Sequence, residues 1–162
     1  CCITFTVSAQ ETSTTSSIKL IPPTQAPSGM IKTPVDHYYV DLTTIRLHQM
    51  DKPIIAYDMV SNLTEGDNKL SGDPNIYTRS MRSHYLINCA VGESSENGID
   101  TFVDFFGKGK SLFSVPQPLN WQKLPVQSAK TWISKMACAR MGQNYQSQTP
   151  KEIREEMANI GK

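Results

Sequence analysis

At 162 residues the chain is long enough for one domain, and large enough to bury roughly 70% of the surface of its unfolded form. Charged residues are 19% and hydrophobic ones 38%, a folded profile that excludes an intrinsically disordered chain, and no stretch approaches the roughly 18 consecutive apolar residues of a membrane-spanning helix. The net charge of +1 hides an asymmetry: eleven acidic against five basic residues between Thr33 and Asp104, then seven basic residues and no Asp or Glu from Phe105 to Lys151. Such a basic third marks either an anionic partner or a solvated edge facing an acidic sheet. A nucleic-acid partner is not expected.

The opening CCITFTVSAQ reads as the end of an export signal, residues 1–9, with Val7-Ser8-Ala9 fitting the small-residue rule for cleavage after Ala9. The rival reading makes Cys1 or Cys2 a lipid-modified cysteine; cleavage after Ala9 is favoured. Residues 10–17, QETSTTSS, form a polar low-complexity linker. Ile18 to Ile21 suits a short edge strand ended by Pro22-Pro23, and Pro27-Ser28-Gly29 is a turn signal. His37 to Asp41 reads as a strand, Leu42 to Leu47 as a second strand or a short turn leading into one, and Ile54 to Leu63 as a third strand whose first half is apolar on both faces. TEGDNKLSGDP, Thr64 to Pro74, is dense in turn residues and is expected as an exposed loop.

Tyr77 to Ala90, YTRSMRSHYLINCA, is the central strand on this reading. At period two, one face carries Tyr77, Arg79, Met81, Ser83, Tyr85, Ile87 and Cys89, the other Thr78, Ser80, Arg82, His84, Leu86 and Asn88. Arg79 and Arg82 then face opposite sides unless a bulge separates them. If Cys1 and Cys2 leave with the signal, Cys89 and Cys138 remain together in an oxidising compartment, where a disulfide is expected. Gly92 to Gly98, GESSENG, reads as a turn, and Ile99 to Phe106 as a strand pairing antiparallel with the central one.

From Gly107 to Gln127 the sequence has three prolines and no clear period, so a long surface loop is expected, pinned by Trp121. Ser128 to Met141 reads as a helix with Ala129, Trp132, Ile133, Met136 and Ala137 as its core-facing stripe, Cys138 off to the flank, and Gly142 as the stop. Thr149-Pro150-Lys151-Glu152 is a capping box, followed by a narrow apolar stripe of Ile153, Met157 and Ile160. This short helix is expected to dock on the domain's own basic third or on a partner.

Chemistry is sparse. His37, His48 and His84 are scattered, and there is no nucleophile elbow, no phosphate-cradling glycine loop and no metal-ligand spacing. No catalytic residue, metal or cofactor is expected, and the chain reads as a non-enzyme.

PPT at Pro22 to Thr24, SG at Ser28-Gly29, HYYVD at His37 to Asp41, the YTRSMRSHYLINCA segment and KMACARMG at Lys135 to Gly142 resemble the surface-adhesin protein E family, over about Ile18 to Gly142. The resemblance implies an α+β fold: a twisted, meander-like antiparallel sheet of about five to six strands, a C-terminal helix packed on it, and one disulfide on Cys89 and Cys138. The domain is set at 18–142, with 143–162 as a C-terminal extension. It also implies an exported outer-membrane or surface protein that binds host matrix or plasma components such as vitronectin, laminin or plasminogen, with a capacity to form homodimers. The corresponding binding segment is the central strand and its following loop. The candidate ligand-binding residues are therefore Arg79, Arg82, His84 and Tyr85, joined by Lys108 and Lys110 of the basic third. The alternative reading is a soluble periplasmic accessory or inhibitor protein that docks on a bacterial partner through its sheet edge or C-terminal helix.

Overall fold

The computed structural model describes residues 16–34, 38–49 and 53–145. The readings placed on Cys1, Cys2, the cleavage site after Ala9, His37, Thr149, Ile153, Met157 and Ile160 lie outside them. Within this range the chain forms β1 (Ser17–Lys19), β2 (Met30–Lys32), β3 (Tyr38–Gln49), β4 (Ile54–Asn62), β5 (Glu65–Asp67), β6 (Ser80–Asn88), β7 (Glu93–Phe102), β8 (Ser111–Pro116), β9 (Gln122–Lys123) and one helix, α1 (Ala129–Arg140). All pairings are antiparallel: β2-β3-β4-β6-β7-β8 run side by side as a meander, β9 adds to β7, and β1 pairs β5 in a separate two-stranded ribbon. The architecture is the expected α+β one, with seven strands in the main sheet where five to six were expected.

One face of the sheet packs under α1. Tyr57 and Ile55 of β4, Ile87 and Cys89 of the central-strand region, and Ile133, Ala137 and Cys138 of α1 are all fully buried there. Cys89 and Cys138 form the disulfide, with Cα atoms 6.0 Å apart. The opposite face carries two smaller apolar clusters, Tyr39–Val60–Phe106 at one end and Ile54–Ala56–Leu86 with Trp121 at the other. Between them lies a row of charged side chains.

Four local expectations are corrected. Leu42 to Leu47 does not start a second strand; β3 continues through it with an irregularity between Asp41 and Arg46. The slack is held by side chains, since Thr43 donates to Asp41 Oδ1 from both its N–H and its hydroxyl, and the Asp58 N–H donates to Thr44 Oγ1. Of GESSENG only Gly92 belongs to a turn; Glu93 to Gly98 form the first part of β7. The reversal sits earlier, where the Val91 and Gly92 N–H groups donate to the Asn88 carbonyl and Gly92 takes φ +66°. Residues 107–127 are not one long loop, because β8 and β9 lie within them; β8 is an edge strand, where its terminal proline is tolerated. The exposed loop expected over 64–74 contains β5.

The helix forms where expected. Ser128 caps its start by accepting from the Thr131 N–H at 3.1 Å, and Gly142 ends it with φ +70° while Gln143 donates to the Cys138 carbonyl. Of the expected stripe, Ala129, Ile133 and Ala137 are buried and Met136 packs against the core, but Trp132 is 36% exposed, and Thr131, Ser134 and Cys138 join the buried face. The disulfide draws Cys138 inward, and the Thr131 hydroxyl is held by the Pro125 carbonyl.

Candidate binding surface

Two features stand out on the face away from α1 and at its border: a strained basic turn and a charged groove. The turn follows β7. Phe105–Gly107 is a single 3-10 turn in which Phe106 has φ 63°, a left-handed conformation that costs a bulky residue roughly 1–2 kcal/mol. Gly107 and Gly109 follow with φ 65° and 75°. The surroundings hold this backbone in place. Phe106 is buried edge-on against Tyr39, its N–H donates to Asn62 Oδ1 at 2.7 Å, and the Gly107 N–H donates to the fully buried Ser80 hydroxyl. A strained turn so tightly held is a natural place to look for function.

What the turn presents is Lys108 and Lys110, both exposed. Arg79 supports it from beneath: its guanidinium Nη1 donates to the Val103 carbonyl at 2.9 Å, and the Val103 N–H donates to the Lys110 carbonyl. Arg79 is itself only half-buried. Asp104, exposed in the same turn, is the carboxylate beside Gly109.

Arg82 also reaches the turn, but from inside. A Cβ on Gly107 would lie 3.0 Å from Arg82 Nε, so only glycine leaves room for the guanidinium. Arg82 Nη1 is 3.0 Å from Asp41 Oδ2 and 3.0 Å from Asp58 Oδ2, and its side chain is 14% exposed. Next on the same face, His84 Nδ1 lies 2.7 Å from Asp58 Oδ1 and Nε2 lies 2.9 Å from Asp100 Oδ2. The result is an alternating chain, Asp41–Arg82–Asp58–His84–Asp100, that crosses β3, β4, β6 and β7.

The protonation of these groups follows from their neighbours. Burial alone would raise the Asp41 pKa, but hydrogen bonds from Thr43 and Arg82 hold it below the usual carboxylate range. Burial likewise opposes ionisation of Asp100, and is outweighed by hydrogen bonds from Ser114 and His84. Burial would lower the His84 pKa; its two carboxylate partners raise it instead. An open groove of about 490 Å³ lies over His84, lined also by Arg46, His48, Asn97, Asp100 and Pro116.

The six residues expected to bind a ligand are thus sorted. Arg79, Lys108 and Lys110 gather at one turn, Arg82 and His84 belong to the internal charge chain, and Tyr85 is buried under α1. There Tyr85 stacks on Tyr57, their ring centroids 5.5 Å apart, and lies beneath the Lys130 ammonium. The bulge that would let Arg79 and Arg82 share one face is not between them; the slip in this ladder is on β7, opposite the His84–Tyr85 step. Sequence reasoning missed Asp41, Asp58 and Asp100 as a set. The available signal was acidic residues on predicted strands, Asp41 and Asp58 between apolar neighbours and Asp100 between Ile99 and Thr101.

A sheet of this topology with one helix stapled to one face by a disulfide defines a small α+β domain, with its charged features on turns and on the face away from the helix. The model of the family Surface-adhesin protein E matches residues 28–139, so the chain belongs to that family. Surface-adhesin protein E from Haemophilus influenzae strain Rd is 27% identical over 129 residues, 79% of this chain and 80% of that protein, and the protein from strain NTHi 3655 matches equally. The solved structure of Haemophilus influenzae protein E superposes with a TM-score of 0.68 at 27% identity, covering 78% of this chain and 96% of that one. A second structure, from the non-typeable organism, gives 0.67 at 25% identity over 90% and 98%. Family membership makes this an adhesin-like surface protein. Among the described residues, no helix is long and apolar enough to cross a membrane.

Proposed function

We propose that the domain is a non-enzymatic surface binding module whose contact site is the basic turn, Lys108 and Lys110 with Arg79, and whose partner is an acidic or sulfated host matrix or plasma protein. Vitronectin, laminin and plasminogen are the candidates the family resemblance offers. The observation that carries this reading is the turn itself: a left-handed Phe106 held by Asn62 and a left-handed Gly107 held by the buried Ser80 lead directly into two exposed lysines, with a third left-handed residue, Gly109, between them. Two ammonium groups on a rigid turn attract a polyanion without the entropy loss of ordering a loose one. On this reading Arg82 and His84 shape the domain and do not touch the ligand.

Binding of the purified protein to immobilised heparin and to vitronectin tests it. Lys108→Ala with Lys110→Ala should weaken binding and flatten its salt dependence at unchanged melting temperature. Unaltered binding by that variant removes the reading. Export to the cell surface and homodimer formation belong to the same proposal. Protease treatment of intact cells should remove the protein, and sedimentation should report twice the chain mass. A protein spared by the protease would favour the periplasmic alternative.

A further inference from the structure

We propose that His84 is a proton-operated latch between β4 and β7, and that its release opens the Asp100 side of the groove. A neutral imidazole has one N–H and cannot donate to two carboxylates at once. Both ring nitrogens of His84 lie within 2.9 Å of a carboxylate oxygen, Nδ1 on Asp58 and Nε2 on Asp100, so the arrangement is that of the imidazolium ion.

The charged and titratable groups around it come from four strands. β3 supplies Asp41 and, at the groove rim, the exposed Arg46 and His48; β4 supplies Asp58; β6 supplies Arg82; β7 supplies Asp100. β8 contributes only the neutral Ser114, Val115 and Pro116. With His84 charged, two internal cations face three carboxylates. When the proton leaves, one cation remains, and one ring nitrogen turns a lone pair toward an oxygen at hydrogen-bond distance.

The two links differ in what else holds them. Asp58 keeps the Arg82 guanidinium on its other oxygen and its side chain is 11% exposed, whereas Asp100 keeps only the neutral Ser114 hydroxyl and is 23% exposed. The remaining N–H therefore stays with Asp58, and the Asp100 link opens. The sheet is already irregular at this place. The β6–β7 register slips between His84 and Tyr85, and Gly98 packs so close to the ring that a Cβ there would lie 3.4 Å from His84 Cδ2. The side-chain bridge fastens β6 to β7 where the backbone ladder is interrupted.

Amide hydrogen exchange read by NMR, alongside the His84 ring resonances, tests the latch. After correction for the intrinsic base-catalysed rate, exchange at Ile99, Asp100 and Thr101 should quicken several-fold as pH rises through the midpoint of the His84 ring titration. His48→Gln should keep that behaviour, and His84→Gln should lose it. Ring titration without an amide response, or the same response in His84→Gln, overturns the proposal. If His84→Gln does not fold, Asp100→Asn serves instead: His84 should still titrate with no exchange step at residues 99–101, and a persisting step overturns the latch.

Discussion

Arg82 is a ligand candidate by residue type and a structural residue by position. Its guanidinium is shared by Asp41 and Asp58 beneath the Gly107 turn, so its removal leaves two buried carboxylates facing each other. Arg82→Ala is expected to cost about 3 kcal/mol of stability, measured by urea unfolding, because an uncompensated buried charge is far costlier than a broken surface pair. Gly107→Ala should also destabilise, by more than about 1 kcal/mol, since it combines a positive φ with a Cβ 3.0 Å from Arg82. The charge chain fixes a pH profile as well. Asp41 and Asp100 have pKa values lowered by folding, so their contribution is present above the unfolded carboxylate range near 4 and is lost as pH falls below it. His84 is raised, so its contribution is full below about 6.5 and is lost as pH rises through its folded pKa. Melting temperature should therefore be highest between about pH 4 and 6.5, and His84→Gln should flatten the alkaline limb; a limb of unchanged slope contradicts this. The period-two pattern had already put Arg82 and His84 on one face. Their acid partners were illegible because they lie 16 to 41 residues away and meet only through strand register.

The elements were more legible than their edges. The central strand, the helix and the Cys89–Cys138 pair follow from alternation, a capped apolar stretch and cysteine arithmetic. The turn-rich spelling of GESSENG misled because turn propensity was weighed without the ladder. Once Asn88–Gly92 makes the reversal, each residue from Glu93 to Ser95 pairs with β6, and the Ser95 hydroxyl accepts the Asn120 N–H. The helix face was legible at Ala129, Ile133 and Ala137 and misjudged at two places: hydrophobicity favoured Trp132, which is exposed, and a covalent bond decides where Cys138 points. The disulfide closes a separation of 49 residues, so Cys89→Ser should lower stability by about 2–5 kcal/mol in chemical denaturation, and the denatured protein should show no free thiol at Cys89 or Cys138 without reductant. Ile87→Ala, at the fully buried centre of the same interface, should cost about 2–5 kcal/mol and leave the basic turn intact.

At the scale of the whole molecule, the charge asymmetry in the sequence does not fold into one uniform basic face. Lys130 of the basic third lies over Tyr85, and Lys135 lies near the Tyr145 ring. Lys108 and Lys110 are lifted on a turn next to Arg79, which lies outside that third altogether. The acidic stretch from Thr33 to Asp104 supplies Asp41, Asp58 and Asp100, and these pair with Arg82 and His84, the two cations that the strand pattern had suggested for ligand binding. The most direct test is heparin affinity measured across a salt series for the parent protein, Lys108→Ala/Lys110→Ala and Arg82→Gln, each checked for its fold by circular dichroism. The account predicts a weakened, salt-flattened response for the double lysine variant, and parent-like affinity and salt slope for any Arg82→Gln protein that remains folded. Parent-like binding by the lysine variant, with binding lost in folded Arg82→Gln, would place the contact in the charged groove and contradict it.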